Sequence, residues 1–119
     1  MMRFLLVCAG GAIGSGARYL LAVGMARVAG TAFPWGTLLA NMIGCFILAF
    51  VATMTTLSAE LRLALMTGVL GGFTTYSAFN LDTTAYLRQG AWATALANVA
   101  LTLGLCFVAG LAGAGLGRV

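Results

Sequence analysis

Apolar positions along this chain come as long continuous runs rather than as stripes at helical or strand spacing. Four runs stand out, from about Phe4 to Ala26, Gly36 to Leu57, Leu63 to Leu87 and Trp92 to Leu116. Each is about the 20 residues that a helix needs to cross a bilayer. The polar breaks between them, Gly30 to Pro34, Ser58 to Arg62 and Arg88 to Gly90, are long enough only for tight helical hairpins. The pattern predicts an all-α membrane protein whose residues 1–119 form one four-helix transmembrane domain with spans at about 4–26, 36–57, 63–87 and 92–116.

Composition agrees with the pattern and narrows the function. Of 119 residues, 62% are hydrophobic and 7% charged, which leaves too little polar surface for a soluble domain. There is no His, the acids are Glu60 and Asp82, and the cysteines Cys8, Cys45 and Cys106 lie in separate runs. The usual stock of general acids, bases and metal ligands is therefore missing, so an enzyme is not expected. The six basic residues are all Arg and scattered, with no basic stripe to suggest a nucleic-acid partner. They read as anchors at the lipid headgroups, and the cysteines as small buried hydrophobes. Arg3 before an apolar run resembles a signal peptide, but the run continues past Arg18 to full spanning length, so the first helix is expected to be retained.

Arg counts in short loops normally set orientation. With four spans, Arg3, Arg62 and Arg118 share one side, while Arg27 and Arg88 share the other, joined by Arg18 if it snorkels forward. That balance leaves insertion undecided. It predicts copies inserted in both directions and paired as an antiparallel, dual-topology homodimer.

Several residues interrupt the apolar runs. Gly10 and Gly14, and Gly36, Ala40 and Gly44, form small faces that let helices approach closely. Arg18 lies deep in the first span, where a charge pairs, snorkels or borders water. Thr37 and Asn41 share a face of the second span. Thr94, Asn98, Thr102 and Cys106 recur every four residues in the fourth span, as helix–helix hydrogen bonding or as a wetted track whose neutral donors suit a small anion. In the third span, paired glycines (Gly71, Gly72) and paired threonines (Thr74, Thr75) make poor helix interior, so a break near its middle is expected, with freed carbonyls able to hold a cation such as Na⁺. Tyr76, Phe79 and Asp82 follow at three-residue spacing, and aromatic ring edges are electropositive enough to contact an anion or simply to pack.

The motifs GGAIGSGARY (Gly10 to Tyr19), WGTLLANMIGCF (Trp35 to Phe46) and GVLGGFTTYSAF (Gly68 to Phe79) closely resemble those of the small bacterial fluoride channels, the CrcB or Fluc family. The resemblance spans nearly the whole chain. It implies an antiparallel homodimer in the bacterial inner membrane, with two fluoride pores and a structural Na⁺ at the dimer centre on the backbone carbonyls of Gly71 and Thr74. By motif position the pore residues would be Asn41, Tyr76, Phe79, Asn98 and Thr102, extended to Cys106 at the end of the track, with Asp82 as the acid one turn beyond the rings. Thr37, Ser77 and Arg18 complete the pore set. The chain departs from the pattern at Tyr76 (usually Phe), Ala78 (usually Thr), Asn80 (commonly Ser) and Asp82 (usually Glu).

Passive fluoride conduction fits these residues. HF enters from acidic surroundings, dissociates inside and is trapped as the anion. A negative membrane potential expels that anion with about 2.3 kcal/mol per charge per 100 mV. The alternative is a small multidrug-type four-helix cation/proton antiporter, which needs an acid in its first helix; here the only mid-span charge is Arg18. A structural subunit without transport is the third reading.

Overall fold

The computed structural model describes residues 1–119. It is helical throughout, without strands. Helix α1 (Met2–Ala29) ends at Gly30, whose φ of 81° turns the chain through a region that L side chains resist. Helix α2 (Trp35–Thr53) starts directly after Pro34, where a missing N–H is harmless because the first amides of a helix have no partner in it. Helix α3 (Ala59–Leu63) is capped by Ser58, whose hydroxyl accepts from the Leu61 amide at 3.2 Å. A π-helical segment (Ala64–Leu70) follows without a gap and leads into the short α4 (Gly71–Phe73). Thr74 and Thr75 are extended, α5 (Tyr76–Arg88) resumes the helix, and α6 (Trp92–Gly117) closes the chain.

Helices α1, α2 and α6 are long and apolar enough to cross a membrane. The expected third span, 63–87, falls on shorter helical pieces rather than one helix. Only 14 of 119 residues are buried, so large apolar side chains such as Phe4, Ile13, Leu20, Phe107 and Leu111 face outward. Exposed apolar surface on that scale belongs against lipid or another chain, as in a multi-pass membrane protein.

The second span departs from expectation at its end. The apolar run extends to Leu57, but α2 stops at Thr53. The Thr53 hydroxyl turns back onto the Phe50 carbonyl at 2.7 Å, Met54 is extended with ψ 115°, and the freed carbonyls are capped from outside. Arg62 donates through Nη1 to Ala52 O at 3.2 Å and through Nη2 to Met54 O. The Ser58 to Arg62 connection is consequently the capped first turn of α3 rather than a loop.

Two packing interfaces position everything else. Helices α2 and α6 run parallel in close contact, Phe46 against Gly113 and Thr53 against Gly117, over a core that includes Leu38, Ala40 and Ala95. Helix α1 lies on the π-helical segment and α4 through its small face. A Cβ at Gly10 would sit 2.7 Å from Ala64 O, and one at Gly14 would overlap Val69 O. The Gly36–Ala40–Gly44 face is likewise buried, with Gly36 close to Ala22 and Gly44 against the Thr74 methyl.

The charges sort by end. Arg3 pairs with Glu60 at 3.2 Å, and its neighbour Arg62 caps α2 at the same end, where Gly117 brings Arg118. A backbone hydrogen bond, and then Arg3, hold the exposed Glu60 carboxyl below its ordinary range. Arg27 and Arg88 close the helices at the other end. Arg18 reaches neither end: it is hydrogen-bonded inside the bundle.

Candidate functional site

The site is built on the interruption between α4 and α5. Of the glycine and threonine pairs that the sequence marks as weak, Gly71 and Gly72 stay helical and the chain leaves the helix at Thr74 (φ −87°, ψ 155°) and Thr75 (φ −156°, ψ 120°). The physical reason for Gly72 is proximity: a Cβ there would sit 2.6 Å from Gly11 O of α1. The threonines make the exit. Thr75 caps α5 by accepting from the Ala78 amide at 3.1 Å, while the Thr74 hydroxyl donates to Leu70 O at 2.9 Å.

Asn41 of α2 holds this exit in place. Its Oδ1 accepts from the Thr75 amide at 2.8 Å and its Nδ2 donates to the Thr75 carbonyl at 3.0 Å, so one side chain replaces both bonds that a helix would have given that residue. Asn41 is itself buried, where an unpaired amide would cost roughly 1–3 kcal/mol.

The exit redirects several carbonyls. In a continuous helix the Thr75 amide would reach Gly71 O, and the Ala78 amide would reach Thr74 O. Those amides instead go to Asn41 Oδ1 and Thr75 Oγ1, which releases the Gly71 and Thr74 carbonyls from their regular partners. Gly72 O is claimed from α1, by Arg18 Nε at 3.2 Å and by the Ser15 hydroxyl at a long 3.5 Å. Arg18 thus neither snorkels nor faces the cavity described next.

Below the exit lies a cavity of about 730 Å³ between α2, α5 and α6, mostly apolar, whose wall includes Asn41, Thr75, Tyr76, Phe79, Thr102 and Cys106. The Tyr76 and Phe79 rings are tilted by 58° with centroids 5.5 Å apart, so the edge of one ring is presented beside the face of the other. Tyr76 is largely exposed and Phe79 buried.

Of the expected pore set, Asn41, Tyr76, Phe79 and Thr102 meet at this cavity. Thr37 does not: with Asp82 it lines a second, smaller cavity of about 220 Å³ near the Gly30–Pro34 turn. Asp82 is therefore separated from the ring pair with which it shares its spacing. Ser77 is exposed and bonds the Thr75 hydroxyl at 3.1 Å. Asn98 is 2% exposed; it donates to Thr83 Oγ1 at 3.0 Å and accepts from Thr102 at 3.4 Å. The α6 stripe is thus interrupted by a buried amide that already has a partner on each of its polar atoms.

Thr75 and Thr83 carry more of the arrangement than the sequence suggested. Thr75 had a readable signal, a hydroxyl three residues before the Ala78 amide at a helix start. Thr83 had none; it donates to Phe79 O at 2.8 Å and accepts from Asn98, linking the buried ring to α6. The cysteines also differ from expectation. Cys8 is exposed, and Cys45 and Cys106 are only partly buried, because both line the large cavity rather than a packed interior.

A family model described as "CrcB-like protein, Camphor Resistance (CrcB)" matches residues 5–114. The "Fluoride-specific ion channel FluC" of Rhizobium meliloti (strain 1021) is 47% identical over 99% of this chain and 98% of its own length. The protein of that name from Anaeromyxobacter sp. (strain K) is 50% identical over 94% of this chain and 92% of its own. That from Sorangium cellulosum (strain So ce56) is 46% identical over 95% and 92% respectively.

Proposed function

The chain belongs to the CrcB-like family, and from that membership we propose that it is a fluoride-specific ion channel, a non-enzymatic transporter that lets fluoride leave the cytoplasm down its electrochemical gradient. The observation that carries this reading is the extended exit at Thr74 and Thr75, pinned by Asn41 beside a cavity walled by the tilted Tyr76–Phe79 pair and by Thr102. Irregular backbone at membrane depth is tolerated where protein buries it or where it lines a cavity. The third span is accordingly a single crossing made of two half-helices.

Ring edges and neutral amide or hydroxyl donors replace part of the water shell of a small anion without holding it as a fixed cation would. Asn41, Tyr76, Phe79 and Thr102 supply such groups at the cavity, while Thr37, Ser77, Asn98 and Arg18, which lie outside its wall, would serve the path only beyond it. The antiporter alternative lacks its essential feature, since α1 contains no acid.

The functional unit in this reading is an antiparallel homodimer of dual topology in the bacterial inner membrane. Its outward apolar side chains and its near-even division of arginines between the two ends support that pairing. A structural Na⁺ fits at the centre of such a dimer. Gly71 and Thr74 would hold it, their carbonyls being those whose amides are diverted, and carbonyl oxygens are suitable ligands for a hard cation. When bound, the ion supplies a fixed positive charge and ties the two breaks together.

The test is fluoride efflux from liposomes containing only this purified protein, started with a potassium ionophore and followed by a fluoride electrode, with chloride as control. Fast fluoride release with little chloride release is expected. Absence of fluoride release from well-folded protein would overturn the reading.

A further inference from the structure

The channel reading leaves Cys45 without a task and gives Cys106 only the end of the polar track, although the two line one cavity wall. Cys45 lies one turn after Asn41 on α2, and Cys106 one turn after Thr102 on α6. The parallel packing of these helices sets Gly110 beside the Cys45 carbonyl, 4.0 Å from where its Cβ would be, and Cys106 is one turn before Gly110. Both cysteines are unpaired, partly accessible, and in the wall of the same cavity. The register of the two helices therefore puts Cys106 within about one turn of the level of Cys45 on the facing helix.

We propose that Cys45 and Cys106 form a two-thiol binding site for a soft divalent metal ion, set in the cavity wall beside Asn41 and Thr102. Thiolates select soft metals, and two of them in one cavity wall, on facing helices, suit an ion that takes two sulfur ligands. No third His, Cys, Asp or Glu joins them, which disfavours an ion that requires four such ligands, as Zn²⁺ does. The charge balance favours a divalent ion. Each thiol gives up its proton as its sulfur bonds the metal, so one M²⁺ binds, two protons leave and the product is neutral. A monovalent ion on two thiolates would leave a net negative charge in an apolar wall, where an uncompensated charge is expensive.

Occupancy would narrow the cavity between Asn41, Thr102 and the ring pair. That consequence, unlike the binding itself, rests on the cavity being the fluoride path. The experiment keeps the two apart.

Full-length reduced protein carrying Cys8→Ser, which removes the one thiol outside the cavity, is titrated with Hg²⁺ and followed by thiolate-to-metal absorption and by free-thiol assay. One Hg²⁺ per chain with loss of both thiols is expected, and Zn²⁺ at the same concentration should leave both thiols free. Cys45→Ala or Cys106→Ala should each weaken Hg²⁺ retention against a competing monothiol by about 100-fold, the loss of one of two linked bonds. Two Hg²⁺ per chain, or retention unchanged in both alanine variants, would overturn the site. Two variants guard against one failing to fold. In liposomes, Hg²⁺ should block fluoride efflux in the Cys8→Ser protein and fail to do so, at the same concentration, when Cys45→Ala is added. One-to-one binding without block supports the metal site and counts instead against the cavity as the fluoride path.

Discussion

Asn41 bonds both main-chain groups of Thr75, its Oδ1 to the amide and its Nδ2 to the carbonyl. A residue that would read as a pore-lining amide is therefore first the clamp that keeps the third span out of helix. The two roles are compatible, since a carboxamide offers a second N–H and a second lone pair toward the cavity. They also make the site brittle, because backbone position and cavity polarity depend on one side chain.

Asn41→Asp should expose that dependence. The aspartate keeps the acceptor for the Thr75 amide but sets a second oxygen against the Thr75 carbonyl, and it adds negative charge to an anion path. Fluoride efflux should fall by about 100-fold or more, the equivalent of roughly 3 kcal/mol for a buried polar pair turned repulsive. Cross-linking should still capture the assembled protein. Undiminished efflux from an assembled variant would remove Asn41 from the pathway.

The close approach of α1 to the π-helical segment gives a paired stability test. A Cβ at Gly14 would overlap the backbone carbonyl of Val69, whereas one at Gly16 meets nothing within 4 Å. Gly14→Ala should lower stability by about 1–3 kcal/mol through overpacking. Gly16→Ala should be neutral or raise it by up to about 1 kcal/mol through helix propensity. Thermal unfolding in detergent reads both, and an equal Tm for the two variants would contradict the packing.

Three membrane-length apolar helices, the small faces of α1 and α2, the interruption and the presence of Asn41, Tyr76, Phe79 and Thr102 at one cavity were legible in the sequence, because each follows from run length, spacing or local propensity. What was not legible depends on which element faces which. Asp82 and Tyr76 share a sequence spacing but border different cavities, since α5 turns its two faces to different neighbours. Asn98 reads equally as a wetted donor or as a helix–helix bond until Thr83 on α5 is seen to take its amide. The end of α2 at Thr53 depends on Arg62 arriving from the next helix to cap it, which no local pattern encodes. Of the paired glycines, Gly72 serves contact with Gly11 rather than the exit itself.

The ring pair separates identity from tuning. No hydrogen bond holds the Tyr76 hydroxyl, and that ring is largely exposed while Phe79 is buried. Tyr76→Phe should leave fluoride efflux within about threefold, since it keeps the ring edge and removes only an unpaired hydroxyl. Phe79→Ala should lower stability by about 3–5 kcal/mol, as large-to-small changes in packed positions do, and abolish efflux with it. A tenfold loss in Tyr76→Phe would mean that the hydroxyl, not the ring, meets the ion.

Arginine placement makes the topology testable in intact cells. Arg3, Arg62 and Arg118 gather at one end and Arg27 and Arg88 at the other, while Arg18 is held at mid-depth by Gly72 O. Three against two is a weak bias, and Glu60 beside Arg3 changes it little because acids contribute little to the rule. In a chain freed of its own cysteines, Leu57→Cys should be labelled from outside in about half of the copies, as a near-balanced count implies. Adding Thr31→Arg and Gln89→Arg raises the second end to four against three and should shift that fraction measurably, since both added charges lie in short turns beside span ends. Dimer formation should fall in the same variant, because copies of the disfavoured orientation become scarce. Labelling of Leu57→Cys in all copies or in none, before any arginine is added, would exclude dual topology.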